Sequence, residues 1–540
     1  MGYETPTMRS KCPSMPRTFP LLSFPNELLL MVASNLTLKD IASMVLTGRY
    51  LHTLLTTELY NIGAKHLALN GSPLHWAAEF NQLGTARRLI SCGADLSLQR
   101  PLDRQTPLHL AAACGHLELI KFMYDPSLAT MHDGLGKTPF HVACAMGQEE
   151  IVRHILSRMP SALTLQTPIA QRTPLHCAAE NGRGIIVRLL ISLGAYAEIP
   201  DAHDITPLHL AAREGHYDVC KFLIDCGARV TLAGSPDGNS PLHGAAARGY
   251  HRVVELLVAS GAVPSQRNIN GETPIHRAIR NAREPVVKFL LEHDTTGRLI
   301  QTLCTAGQSL LTYAFDGKPP SVSLLSILLD HGADVNFRTP SNGQTPLFRA
   351  AAAKAPGALA LFLSHGADVN ATDLFKATAL HEAASLGRIP AIELLIKHSA
   401  SIDAEDYENQ TPLYYAVEHG REDVVRKFLE LGADINARDR LGMSPLSRAC
   451  AQCPVHINVN MVRLLIEEGA DVRSADDEGM TALHHASREG HEEVVKLLLK
   501  GGARAKDRDE CGDNALDVAW AFRKPKIVEL LRMNMGMIAC

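Results

Sequence analysis

The chain has 540 residues, with 53 Lys plus Arg against 57 Asp plus Glu and a formal charge of -4, so it carries no electrostatic footprint for nucleic acid or an anionic membrane. Hydrophobic residues make up 46% of it and aromatics only 5%, a balance suited to small aliphatic side chains packed between short helices. The 12 cysteines follow no framework spacing, no apolar leader follows Met1, and no run approaches the roughly 18 apolar residues of a membrane span, which together predict a soluble cytoplasmic and/or nuclear protein.

Residues 1–19, rich in Pro, Ser, Thr and Met, read as a disordered leader. From 20 to 60 the pattern is helical. Leu28, Leu29, Val32 and Leu36 form one stripe after Pro25, Thr37 and Asp40 have capping-box spacing ahead of Ile41, and Thr47 can start a third helix through Leu51, Leu54 and Leu55. Three helices in about forty residues are below the usual size for independent stability, so a partner or the next element should support them. Residues 61–71 form a linker.

From residue 72 the sequence repeats. Thr-Pro-Leu-His stands at Thr106, Thr173 and Thr206, with near copies at Ser72, Thr138, Ser240 and Thr273. Drifting copies follow at Ser309, Thr345, Thr378, Thr411, Ser444, Thr481 and Asn514, giving 14 starts. Their spacing is about 33 residues. Within the unit that begins at Thr206, the threonine can cap a helix whose first turn accepts Pro207, and Leu208, Ala211 and Ala212 share one face. Gly215 can end that helix in the left-handed conformation, and glycine recurs there at Gly115, Gly147, Gly182, Gly249, Gly387, Gly420 and Gly490. A second helix follows, with Val219, Phe222 and Leu223 apolar, and closes at Gly227 before an extended loop. No unit can bury its apolar faces alone, so stability must come from stacking. Two places break the rhythm: 294–320, where Ser309 is followed by neither proline nor the glycine, and 453–460, where extra residues lengthen a turn.

Thr-Pro-Leu-His-x-Ala-Ala, followed by Gly-His and then Gly-Ala-Asp-Val-Asn at Gly332 and Gly366, closely resembles the ankyrin repeat family across residues 72–540. The resemblance implies an all-α solenoid of about 14 helix pairs, with first helices and loop tips forming a face that binds protein. Phe-Pro-Asn-Glu-Leu-Leu-Leu at Phe24, running on to Lys-Asp-Ile at Ile41, resembles the F-box, with Phe24 in place of the usual leucine. That likeness implies adaptor binding through Phe24, Pro25, Leu28, Leu29, Val32, Leu36 and Ile41; a bare amphipathic cap on the solenoid is the other reading.

Catalytic and metal chemistry find no footing. His75, His109, His141, His176, His209, His243, His276, His381 and His484 share one register, three residues after their starts, yet equivalent positions in stacked helices lie roughly 8 to 10 Å apart. Bonds to a shared ion would need to be about 2 Å. The resemblance instead gives each histidine a bond to its cap threonine and neighbouring backbone. Cys450 and Cys453 lack a second pair for zinc, the calcium-like run at Asp507 and Asp509 has Val518 where a glutamate is required, and Met131 stands where a phosphate loop before Thr138 needs glycine. No cofactor, metal or enzymatic activity is expected.

Recognition falls to helix-one positions that the repeat leaves free: Trp76, Phe80, Arg213, Arg248, Arg277, Arg349, Tyr415 and Arg448. A solvated surface role competes for each arginine, and Trp76 could equally pack on the amino-terminal helices. The expected function is a substrate receptor of an SCF-type cullin-RING ubiquitin ligase: the F-box docks on a Skp-type adaptor, the solenoid holds an unknown target protein, and the chain is a monomer outside that complex. The alternative is an ankyrin scaffold or inhibitor with no ubiquitin connection.

Overall fold

The computed structural model describes residues 71–234, 236–294, 296–316, 320–451 and 458–537. The expected leader, the F-box-like unit with Phe24 through Ile41 and nearly all of the 61–71 linker therefore lie outside the described residues, as does Cys453. The chain divides into two compact units, Met1–Pro236 and Asp237–Cys540.

In the first unit five helix pairs are described, starting with Pro73–Glu79 and Leu83–Ser91 and ending with Pro207–Glu214 and Tyr217–Asp225. In the second unit nine follow, from Pro241–Arg248 and His251–Ala259 to Ala515–Ala521 and Pro525–Asn534. The first helix of a pair buries nearly every side chain on its inner face: Leu108, Ala111 and Ala112 are sealed, as are Leu380, Ala383 and Ala384. The second helix is amphipathic, with Val424, Val425 and Phe428 inside and Glu422, Asp423 and Lys427 outside or at the edge. Small residues on the first helices let neighbours approach until no gap remains, which is how a 5% aromatic chain builds its core.

Helix boundaries follow the punctuation. Proline at the first position loses no intrahelical bond. Gly115, Gly147, Gly215, Gly249 and Gly490 cap first helices with φ between 83° and 89°. Phe222 is only half-buried, with the Arg188 guanidinium 5.2 Å from its ring centroid, and the sealed position on that helix belongs to Cys220. The turn from Gly215 sets the second helix so that Val219, Cys220 and Leu223 point inward and Phe222 falls on its flank.

The pair that begins at Ser309 differs from its neighbours among the described residues. After Ser309 only one helical turn forms, Leu310–Tyr313, continued by a 3-10 turn at Ala314–Asp316. Without the usual histidine, Thr312 takes the cap contact, its amide donating to Ser309 Oγ at 3.4 Å. The turn is anchored through Tyr313, whose hydroxyl donates to the buried Glu272 carboxylate at 2.5 Å, and Arg277 and Arg280 flank that carboxylate at 3.2 and 3.1 Å.

Candidate partner-binding surface

Each surface loop is made by the cap that precedes it. Thr106 Oγ1 lies 2.8 Å from His109 Nδ1, the Thr106 amide donates to the same nitrogen at 3.2 Å, and His109 Nε2 donates to the Lys137 carbonyl at 2.9 Å. The geometry fixes a neutral imidazole with its proton on Nε2, because Nδ1 already receives a backbone N–H. His75, His176, His243 and His381 repeat the arrangement onto the carbonyls of Gln105, Ile205, Glu272 and Gln410. In these repeats the histidine is thus an inter-repeat staple, whereas the Nε2 of His276 is buried without a hydrogen-bond partner. Burial holds the imidazoles of His75, His141, His176, His243 and His276 down at about 4.

The stapled carbonyls belong to hairpin loops, and in many of these loops a buried or half-buried side chain shapes the turn. Asp133 Oδ1 accepts the amides of Leu135 and Lys137 at 2.9 and 2.8 Å. Asp201, Asp373, Asp406, Asp439 and Asp476 close their turns identically, and Asn268 does so with its amide oxygen. The second carboxylate oxygen then reaches a helix: Asp406 accepts from Tyr415, Asp439 from Tyr414 at 2.5 Å, and Asp476 meets His485 at 2.7 Å. Sequence reasoning missed this aspartate, although its signal was present as an Asp or Asn five residues before most starts.

Successive tips are bonded to one another. In the first unit the Gly134 amide donates to the Asp103 carbonyl at 2.7 Å and Ala202 to Ala170 at 2.9 Å. In the second, Leu374 donates to Asn342, Tyr407 to Phe375, Arg440 to Glu408 and Asp477 to Leu441, all between 2.7 and 3.0 Å. The loops are therefore locked, and several of their outermost side chains are apolar and exposed. Leu102, Leu135 and Ile169, the last 88% exposed, line up in the first unit; Leu374, Phe375, Tyr407 and Leu441 line up in the second. Rigid, pre-ordered apolar side chains lose little entropy on contact, which is what a protein-binding surface requires.

The helix-one residues singled out from the sequence occupy different surroundings. Trp76 is half-buried beside the exposed Phe80, with ring centroids 5.4 Å apart. The arginines are not left free by the repeat. Arg213 pairs with Glu180 at 3.1 Å, Arg349 with Asp316 at 2.5 Å, Arg448 with Glu418 at 2.5 Å and Arg277 with Glu272 at 3.2 Å. In three of these the acid stands seven residues after one repeat start and the base on the next first helix, so stacking itself brings them together. Tyr415 donates to Asp406 at 2.9 Å and meets His381 edge-on at 5.0 Å. Arg248 is exposed. Charged heads remain reachable at the edges of these pairs, while the unoccupied apolar surface lies at the loop tips.

Stapled helix pairs joined by outward hairpins define a helical repeat protein. The chain belongs to the ankyrin repeat family: the model for ankyrin repeats in three copies matches residues 74–164, 159–234, 231–299, 351–439 and 441–537, more than half of the chain. The stretch it passes over contains the shortened Leu310–Tyr313 helix. Ankyrin repeat domain-containing protein 49 from Bos taurus is 42% identical over 67 residues, and its Homo sapiens counterpart 43% over 65, each covering 12% of this chain. B-cell lymphoma 3 protein homolog from Mus musculus is 29% identical over 132 residues, 24% of this chain. The chain spans only 27% to 29% of these relatives' lengths. Among the described residues no helix is long and apolar enough to cross a membrane.

Proposed function

We propose that this chain is a protein-binding scaffold or inhibitor that grips its partner along the hairpin tips and the first-helix edges beside them. The observation that supports this most is the row Leu374, Phe375, Tyr407 and Leu441, exposed on loops that are hydrogen-bonded to each other and braced from within by Asp373, Asp406 and Asp439. Nothing in this reading asks the chain to perform catalysis. Its test is proximity labelling from the full chain and from a chain lacking residues 1–60. The scaffold reading expects the same labelled partners from both, and loss of those partners on deletion would count against it.

A second reading is favoured by the run from Phe24 to Ile41. It makes the chain a substrate receptor: Phe24, Pro25, Leu28, Leu29, Val32, Leu36 and Ile41 dock on a Skp-type adaptor of a cullin complex while the repeats hold the target. Transfer of ubiquitin then belongs to the partners, and the receptor accelerates it by raising the target's effective concentration. Co-purification decides it. Leu28→Asp with Leu36→Asp should abolish adaptor capture, and a variant that still captures the adaptor removes this reading.

A further inference from the structure

The ladder of hairpin tips in the second unit runs further than its apolar part. Beyond the rung from Arg440 to Glu408, the Asp477 amide donates to the Leu441 carbonyl at 3.0 Å and the Glu510 amide to the Glu478 carbonyl at 2.9 Å. One backbone-bonded row therefore carries two chemistries. Its first part exposes Leu374, Phe375, Tyr407 and Leu441. Its second part exposes Asp477, Glu478, Glu510 and Asp513.

The two parts differ in how charge is answered within the chain. Along the apolar part, the Lys376 ammonium lies 4.9 Å from the Tyr407 ring centroid and Arg440 faces Glu408 at 4.0 Å. Past Leu441 the balance is lost. Asp477 meets Arg438 at 3.4 Å, and among the described residues no cation pairs with Glu478, Glu510 or Asp513. The arginines bordering these hairpins turn donors onto backbone instead: Arg438 onto the Gly442 and Ala475 carbonyls at 2.8 and 2.7 Å, and Arg508 onto the Gly512 carbonyl. Carboxylates fixed on neighbouring tips add to one negative potential, which repels an anionic partner and draws a cationic one.

We propose that the segment held by these tips is extended and two-part: apolar where it crosses Phe375, Tyr407 and Leu441, and rich in Lys or Arg where it crosses Glu478 and Glu510. This rests on the tip-binding reading above and adds to it the partner's chemistry and its direction along the row. Phe375 and Glu510 are four repeat steps apart, roughly 32–40 Å at the spacing of packed helices. An extended chain of about 12 residues covers that span. The apolar half gives the desolvated contact, and the basic half speeds encounter and sets polarity. A reversed segment would lay its apolar residues on hydrated carboxylates.

The test is a displayed library of linear peptides of about 16 residues, long enough for the whole span, selected on the full chain. Each enriched peptide is then scored on Phe375→Ala with Tyr407→Ala and, separately, on Glu478→Lys with Glu510→Lys. All four side chains are exposed, so both variants should melt with the parent chain. Enriched peptides should carry apolar residues towards one end and Lys or Arg towards the other, and lose binding to the alanine variant. They should associate at least tenfold more slowly with the lysine variant, and added salt should slow them on the parent chain. A pool that needs Phe375 and Tyr407 but is neutral or acidic, or that meets the lysine variant as fast, overturns the two-part partner and leaves the tip reading standing. A pool that binds the alanine variant equally well overturns the tip reading, and this proposal with it. Binding that requires added calcium would overturn the proposal too, by making an ion the bridge at the carboxylates.

Discussion

The Nε2 of His381 donates to the carbonyl of Gln410 at 3.0 Å while its Nδ1 receives the Thr378 amide at 3.0 Å, so one imidazole caps its own helix and pins the next hairpin. The ring is buried, and removing it leaves the Thr378 amide without this acceptor and the Gln410 carbonyl with only the Asp406 amide, at 3.1 Å. His381→Ala should therefore destabilise the second unit by about 3 kcal/mol, the sum of an orphaned amide, a lost cross-repeat bond and a cavity. Hydrogen exchange should quicken first between Thr378 and Gln410. Unchanged protection there would show that the staple is decorative.

The same imidazoles make the fold acid-sensitive. Five of them, His75, His141, His176, His243 and His276, are held by burial at about 4 rather than the ordinary 6.5. The unfolded chain binds these protons near pH 6.5 and the folded chain only near 4, so stability is complete above pH 6.5 and drains away as pH falls towards 4. By pH 5 each imidazole should cost about 2 kcal/mol. A thermal scan should show the melting temperature dropping between pH 7 and 5, before most carboxylates titrate; a flat profile over that window would contradict neutral buried histidines.

Asp439 shows what the hairpin requires. Its Oδ1 accepts the Leu441 and Met443 amides at 2.9 and 2.8 Å, and its Oδ2 accepts the Tyr414 hydroxyl. Asp439→Ala should cost about 3 kcal/mol and loosen the Leu441 tip. Asp439→Asn should cost less, since Asn268 closes the equivalent turn with an amide oxygen in its own hairpin. Denaturant unfolding of both variants checks the order, and equal losses would mean that Oδ1 is not the group that matters.

Tyr313 replaces the missing staple of the irregular repeat. Its hydroxyl bonds to Glu272, and its ring meets His276 edge-on at 4.9 Å. Tyr313→Phe keeps the ring and removes the bond, so it should cost roughly 1.5–3 kcal/mol, the range for a hydrogen bond to a charged group. Exchange should rise across Leu299–Asp316 and not at Ala482–Lys500; a uniform change would argue against a local anchor.

What the sequence revealed depended on how local the cause was. Thr206, Pro207 and Gly215 act within one turn of the helix they bound, so helix starts and stops were legible from a single repeat. The partner of Arg213 is Glu180, 33 residues away, and the partner of Arg448 is Glu418, 30 away, so these arginines looked free until stacking brought the acids beside them. The bare tips were equally hidden. No local pattern marks Phe375 or Leu441 as exposed, and the turns closed by Asp373 and Asp439 are what turn them outward.

The central claim is that the row of hairpin tips in the second unit holds the partner. Leu374→Glu, Phe375→Glu, Tyr407→Glu and Leu441→Glu change only exposed side chains, so the combined variant should melt with the parent chain. Proximity labelling from that variant should lose most partners labelled by the parent. Retention of the full labelled set by an equally stable variant would contradict the account.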